Sequence, residues 1–147
     1  MFIRELTRQG SLALLKRIHR GRLACARENQ PYVFPVFFGN HDSSLYCAST
    51  TGQKIEWMRE NPLVAVEVDE IESAQNWESV IVTGRYEVAG TPEALDMRQL
   101  AWSLLQNANL WEPAYVKTIL GDVEREMAPL YFRIRIGRIT GHRATKE

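Results

Sequence analysis

The chain is short of the residues that build metal and disulfide sites: among 147 residues there are two cysteines and three histidines. Cys25 and Cys47 lie far apart, each inside a stretch that reads as a strand. Buried free thiols in a reducing compartment are the simplest reading, and a bridge between neighbouring strands stays open. His19, His41 and His142 are scattered and lack metal-ligand spacing, so no metal is expected. Neither sign of charge is in excess: Lys plus Arg and Asp plus Glu each number 18. That balance argues against nucleic acid or a membrane surface as partner. No apolar run approaches the length of a membrane span, and the opening MFIRELTRQG has no apolar signal-peptide core. A glycine-rich dinucleotide fingerprint, a Ser-His-Asp spacing, internal repeats and linkers are also missing. What remains is an expectation of one compact cytoplasmic domain over residues 1–147, long enough to bury a sizeable core.

The elements follow from periodicity. Leu12, Leu15 and Ile18 recur at helical spacing, predicting a helix over Ser11–His19 with Ser11 as cap and Gly21 as stop. Arg22–Arg27 reads as a strand, Asn29-Gln30-Pro31 as a turn, and Tyr32–Phe38 (YVFPVFF) as a strand apolar on both faces. Pro35 in its middle implies an edge or an interrupted ladder, because proline donates no hydrogen bond. After a turn at Gly39–Ser44 comes a third strand, Leu45–Ala48, and a helix from Gln53 to Asn61, stopped by Pro62. Leu63–Val68 is a fourth strand, Asp69–Asn76 an acidic loop, and Trp77–Val88 a fifth strand whose Gly84 marks a bend or bulge. Thr91-Pro92-Glu93 starts a helix that runs to Asn107, and a shorter helix is expected near Pro113–Leu120. Leu130–Ile136 alternates cleanly as a sixth strand, leaving GRITGHRATKE as a solvated tail. The fold class is therefore mainly β with flanking helices, a six-stranded antiparallel sheet that closes into a small barrel.

One stretch carries chemistry of its own. LYCASTTGQK (45–54) is a strand that breaks into Ser49, Thr50, Thr51 and Gly52 and then opens a helix with Lys54 in its first turn. A helix N-terminus collects unpaired N–H groups and the positive end of the dipole. A cation there, where cations are normally disfavoured, suits an anion held between them. The alternative is a helix capped by Thr50 or Thr51 with Lys54 in solvent.

GRLACARENQPYVFPVFF, LYCASTTGQK, NPLVAVEV and WESVIVTGRYEV, in this order and spacing, resemble the pyridoxamine 5'-phosphate oxidase-like, FMN-binding split barrels, including their nitroimidazole-resistance-like branch. The resemblance covers nearly the whole chain. It implies a split barrel with FMN as cofactor, two chains sharing each flavin at a homodimer interface, and small molecules as electron donor and acceptor. Carried over, Ser49, Thr50 and Lys54, beside Thr51, hold the flavin phosphate. Pro35, Val36 and Phe37 lie along the isoalloxazine ring, and Ser79 with nearby Trp77 contacts the flavin. No catalytic side chain is singled out, since a bound flavin carries the redox chemistry itself.

The chain also departs from the family. Gln53 stands where some members have an arginine before the lysine, and Ala48 where the nitroimidazole branch has a histidine. The tail, with Arg138, His142 and Arg143, does not match the basic segment that grips substrate phosphate in true pyridoxamine phosphate oxidases. The expected function is a flavoprotein that passes electrons from a reduced nicotinamide to a small acceptor. A flavin store or sensor without turnover, and a haem- or deazaflavin-binding split barrel, are the alternatives.

Overall fold

The computed structural model of the chain describes residues 1–88, 93–108, 116–127 and 129–147. Its elements in chain order are β1 (Phe2–Glu5), α1 (Arg8–Arg17), β2 (Arg20–Arg27), β3 (Gln30–His41), β4 (Ser44–Ser49), α2 (Gln53–Glu60), β5 (Leu63–Ser73), β6 (Asn76–Glu87), α3 (Glu93–Asn107), β7 (Val116–Leu120), β8 (Val123–Met127) and β9 (Leu130–Thr145). The main sheet is antiparallel in the order β1-β9-β4-β3-β2-β5-β6, and a further pairing of β9 with β6 closes it. Setting β1 aside, the ring contains the six strands expected of a split barrel. The split lies at β3, whose first half pairs with β2 on one edge (Gln30–Phe37) and whose last residues pair with β4 on the other (Phe38–His41).

Alternation along each strand sends one row of side chains inward. Leu23, Phe34, Val36, Phe38, Leu45, Cys47, Val66, Val68, Val80, Val82, Phe132 and Ile134 are buried and form one core. Leu14 and Leu15 of α1 join it with no exposed surface, a contribution of about 2 kcal/mol each. Both cysteines are free and buried, as the sequence implies. Gly84 lies at the register shift between β6 and β9, and a Cβ there would overlap the carbonyl oxygen of Arg135. The row Val80, Val82, Tyr86 is buried around it, so the bend expected from the glycine is a bulge at the barrel seam. On the outside, α3 lays Met97 and Ala101 against Tyr46.

Several sequence expectations give way. The first helix is capped by Thr7, whose side chain accepts from the N–H of Gly10 at 3.0 Å, while Ser11 is buried inside the helix. It ends at Arg17, and Gly21 lies within β2 because its Cα passes against the backbone of Glu67. In the single chain β3 is buried on one face only: Val33 and Phe37 are exposed, and among the described residues no element covers that side. Asp69–Asn76 is not a loop. β5 continues to Ser73, and β6 begins at Asn76, because the ladder between them persists although every side chain from Asp69 to Ser73 is exposed. Of the helix expected near Pro113–Leu120, residues 113–115 lie outside the described residues and Val116–Leu120 is a strand, hairpinned with β8 through Gly121-Asp122. β-Branched Val116, Thr118 and Ile119 fit that better than a helix, and Gly121 supplies the φ of +61° that the turn needs. The supposed tail is the second half of β9, held on one edge by β6 and on the other by β1. Thr91 and Pro92 lie outside the described residues; the helix they precede is present.

Candidate functional site

β4 leaves the sheet at Ser49, its last paired residue. Ser49 is buried, and its hydroxyl donates to the carbonyl oxygen of Thr50 at 3.0 Å, so only its lone pairs face other partners. Thr50 is half-buried and Thr51 exposed. Neither caps α2. The N-cap is Gly52, fully extended and without a side-chain cap hydrogen bond. The first bond within the helix runs from Glu56 N–H to Gly52 O, so the N–H groups of residues 53–55 lie outside the helix ladder. Lys54 rises from this first turn, half-buried, with Nζ 5.0 Å from the centroid of the Phe34 ring. Among the described residues no carboxylate lies within 4.0 Å of it. Burial lowers its ammonium pKa. A half-buried cation without a counter-ion, beside an uncapped helix start, is a place where an anion is attracted with little screening.

The open edge of β3 runs beside this corner. Phe38 N–H donates to His19 O at 2.9 Å, toward β2. Alternation then turns the backbone of Phe37, Pro35 and Val33 to the opposite edge, where pairing with β4 has stopped. Pro35 therefore removes no ladder hydrogen bond, which is how a proline sits inside a long strand. Its neighbours leave backbone polar groups facing outward, available to a flat ligand with polar edges.

On the outer surface Pro35 and Phe37 line a cavity of about 400 Å³ together with Arg20, Arg22, Glu67 and Asp69. Register explains the gathering, because Arg22 stands opposite both Pro35 and Glu67, and Arg20 opposite Phe37. Ser79 on β6 stands opposite Asp69, and its hydroxyl reaches Glu67 Oε1 at 3.3 Å. Burial pushes the Glu67 carboxyl up to about 7, and a hydrogen bond and like charge from Asp69 push the same way; Ser79 and Arg22 oppose them. Neither Arg20 nor Arg22 has a carboxylate within 4.0 Å among the described residues.

The residues singled out from sequence thus fall into two groups. Ser49, Thr50, Thr51 and Lys54 follow one another from the end of β4 into α2, and Lys54 reaches the ring of Phe34 on β3; Pro35, Val36 and Phe37 are the next residues of β3, with Val36 in the core and Pro35 and Phe37 on the wall of the outer cavity. Trp77 and Ser79 lie on β6, with β5 and β2 between them and β3. Ser79 reaches the cavity through Glu67, while Trp77 stands opposite Ile71 and Ala144. The two arginines and two carboxylates of the cavity were missed. Their signal was present in RGR and EVD, charges two residues apart inside strands, which share a face.

Glu67 gives a pH prediction. Its ordinary pKa is 4.5 and its folded value about 7, so between those values the folded chain holds the extra proton. Stability therefore falls as pH rises through that window and stays lower above it. Glu67→Gln is expected to raise stability at pH 8 by about 1–2 kcal/mol relative to its effect at pH 4, a value reduced for solvent screening. Urea titrations at the two pH values check this; an equal effect at both would refute it.

Among the described residues no histidine gathers partners for a metal: His41 pairs with Asp42 at 3.2 Å in the β3–β4 turn, and His19 Nδ1 lies 3.2 Å from Phe38 O. No helix among the described residues is long and apolar enough to cross a membrane.

The family model described as pyridoxamine 5'-phosphate oxidase matches residues 7–143. An uncharacterized protein of Rhizobium meliloti (strain 1021) is 38% identical over 146 residues, 98% of this chain and 97% of that one. The crystal structure of a FAD-binding protein from Mesorhizobium loti is also 38% identical, covers 99% of this chain and 100% of its own, and superposes with a TM-score of 0.80. A protein from Bacteroides thetaiotaomicron named as a putative 5-nitroimidazole antibiotic resistance protein shares the fold at 16% identity, TM-score 0.69, over 97% of this chain and 89% of its own. With a split barrel, an open β3 edge and this similarity over nearly its full length, the chain belongs to the pyridoxamine 5'-phosphate oxidase-like family.

Proposed function

We infer that the protein binds a flavin, FMN in the first instance, with its phosphate at the start of α2 and its ring along the open edge of β3. The observation that carries this reading is Lys54: half-buried, without a carboxylate among the described residues, and set beside a helix start with no side-chain cap hydrogen bond. A phosphate supplies the missing charge and accepts the first-turn N–H groups. The free edge at Pro35–Phe37 then offers backbone partners to the polar rim of the ring. A bound flavin accepts and returns electron pairs; the protein positions it and excludes water. The reading includes turnover: an oxidoreductase that takes two electrons from a reduced nicotinamide and delivers them to a small acceptor.

It also includes a homodimer. Val33, Phe37, Leu63 and Ile81 are exposed on the outer face of the barrel. The same face hollows into an apolar groove of about 730 Å³ lined by Ala24, Ala26, Leu63 and Ala65. A second copy of the chain covers such a face and brings its own Ser79 and Trp77 toward the flavin.

FAD is the second reading, favoured by the Mesorhizobium loti relative described as FAD-binding. An absorption spectrum of the purified protein, with the released flavin identified by mass, separates the two. Yellow protein that bleaches under reduced nicotinamide without oxygen is expected. Yellow protein that stays oxidised overturns the nicotinamide-dependent turnover. Protein that neither carries nor takes up FMN or FAD overturns the flavin site.

A further inference from the structure

The hairpin of β7 and β8 stands apart from the barrel. Its two strands form a sheet of their own, and among the described residues no other element makes more than passing contact with it. A lone two-stranded hairpin is marginally stable in water at best. This one also carries its large apolar side chains uncovered: Ile119 is 72% exposed, Leu120 85% and Val123 54%. Leu120 and Val123 are partners across the turn, so they share a face and form one apolar tip. With strands of five residues the hairpin is an arm about 17 Å long. Its root lies near the flavin corner, since Met127 is three residues from Leu130, whose partner on β4 is Ser49.

The apolar groove on the outer face of the barrel has the opposite deficit. Its floor is built from small side chains, Ala24, Ala26 and Ala65, which leave about 730 Å³ open. Large apolar side chains must come from elsewhere to fill it, and the hairpin has such side chains with no floor beneath them. The charges match as well. Arg85, Arg135 and Arg138 rim the groove, and among the described residues no carboxylate lines it. Glu87 holds Arg135, whereas Arg85 and Arg138 have no carboxylate within 4.0 Å among the described residues. On the arm, Lys117 holds Glu124 and Glu126, which leaves Asp122 at the turn as an acid with no cation within 4.0 Å among the described residues.

We propose that the β7–β8 hairpin is an exchanged arm: in the homodimer it crosses to the second copy, seats Leu120 and Val123 on the alanine floor of that copy's groove, and sets Asp122 against Arg85 and Arg138. The inference rests on the homodimer reading and names the segment by which the two copies hold each other. Two-fold symmetry makes the exchange reciprocal, so both tips are covered and both grooves filled in one step. The arm leaves its own chain close to Ser49, so the exchange also ties the second copy to the corner assigned to the flavin phosphate.

The test measures the dimer dissociation constant of the full chain by sedimentation. Leu120→Ser combined with Val123→Ser is expected to raise it about 100-fold, and Asp122→Arg about tenfold, with the circular dichroism of the barrel unchanged. Cross-linking checks the contact itself. Copies carrying Leu120→Cys and copies carrying Leu63→Cys, on the groove wall, are produced in one cell under different tags and purified through both. Mild oxidation is expected to bridge the mixed dimer and neither variant alone, since the native Cys25 and Cys47 are buried. A mixed dimer without the bridge overturns the proposal, as does a bridge in the Leu120→Cys protein by itself, which would set the two tips against each other. A parent dimer whose constant the tip variants leave unchanged overturns the arm and leaves the homodimer standing. A parent chain that sediments as a monomer overturns the homodimer reading, and the arm with it.

Discussion

Gly84→Ala is expected to cost about 3 kcal/mol of stability, read as a lower urea midpoint with an unchanged slope. A Cβ at position 84 overlaps the carbonyl oxygen of Arg135 and comes within 3.0 Å of Ile134 Cγ2. Neither neighbour can step aside: Arg135 is paired with Ser44 as well as with Arg85, and Ile134 is fully buried. The added methyl must push β6 and β9 apart at the seam that closes the barrel. Gly52→Ala is the internal control. No atom lies within 4 Å of a Cβ there, and its backbone is extended in a way any residue adopts. It should stay within about 0.5 kcal/mol of the parent. Equal effects from the two changes would mean that the seam is not as tight as its geometry indicates.

Gly52→Asp is expected to separate stability from ligand affinity. An aspartate at the N-cap accepts the first-turn N–H groups of α2 and gains a few tenths of a kcal/mol over glycine. It also places a carboxylate near Lys54, satisfying internally the two features that make the corner attractive to an anion. FMN affinity should fall about 100-fold, equivalent to roughly 3 kcal/mol, the scale of losing two charge-assisted hydrogen bonds. Lys54→Ala removes the cation alone and should cost about tenfold. Fluorescence quenching of FMN during titration, alongside thermal melts of the ligand-free protein, measures both quantities. A Gly52→Asp variant that binds FMN as the parent does would remove the helix start from the phosphate site.

The fold was legible where each strand buries one face. Val80, Val82 and Tyr86 in β6, and Phe132 and Ile134 in β9, announce their inward rows by alternation alone. Legibility stopped where a regular row of large apolar side chains did. Asp69–Ser73 and Gly137–Thr145 are strands because neighbouring strands supply backbone partners there, and nothing in their polar composition reports a partner remote in sequence. β1 was invisible for the same reason, since all four of its residues are exposed. At the candidate site, LYCASTTGQK declared the β4–α2 corner because its chemistry is contiguous. The Arg20–Arg22–Glu67–Asp69 cavity did not, because it is assembled across strands and only the register of β2 with β3 and β5 brings the charges together.

β9 pairs with β6, β4 and β1 and follows all of them in the chain. Every contact that shuts the barrel is therefore a long-range contact, with the loop-closure entropy spent before any of them forms. Folding should be slow for a chain of this size, in the range of milliseconds to seconds that nonlocal β topologies occupy. During synthesis β2 to β6 emerge first, their inner faces open to water until β9 arrives. The strand that completes the barrel is thus also the one whose delay leaves the nascent chain most prone to aggregation.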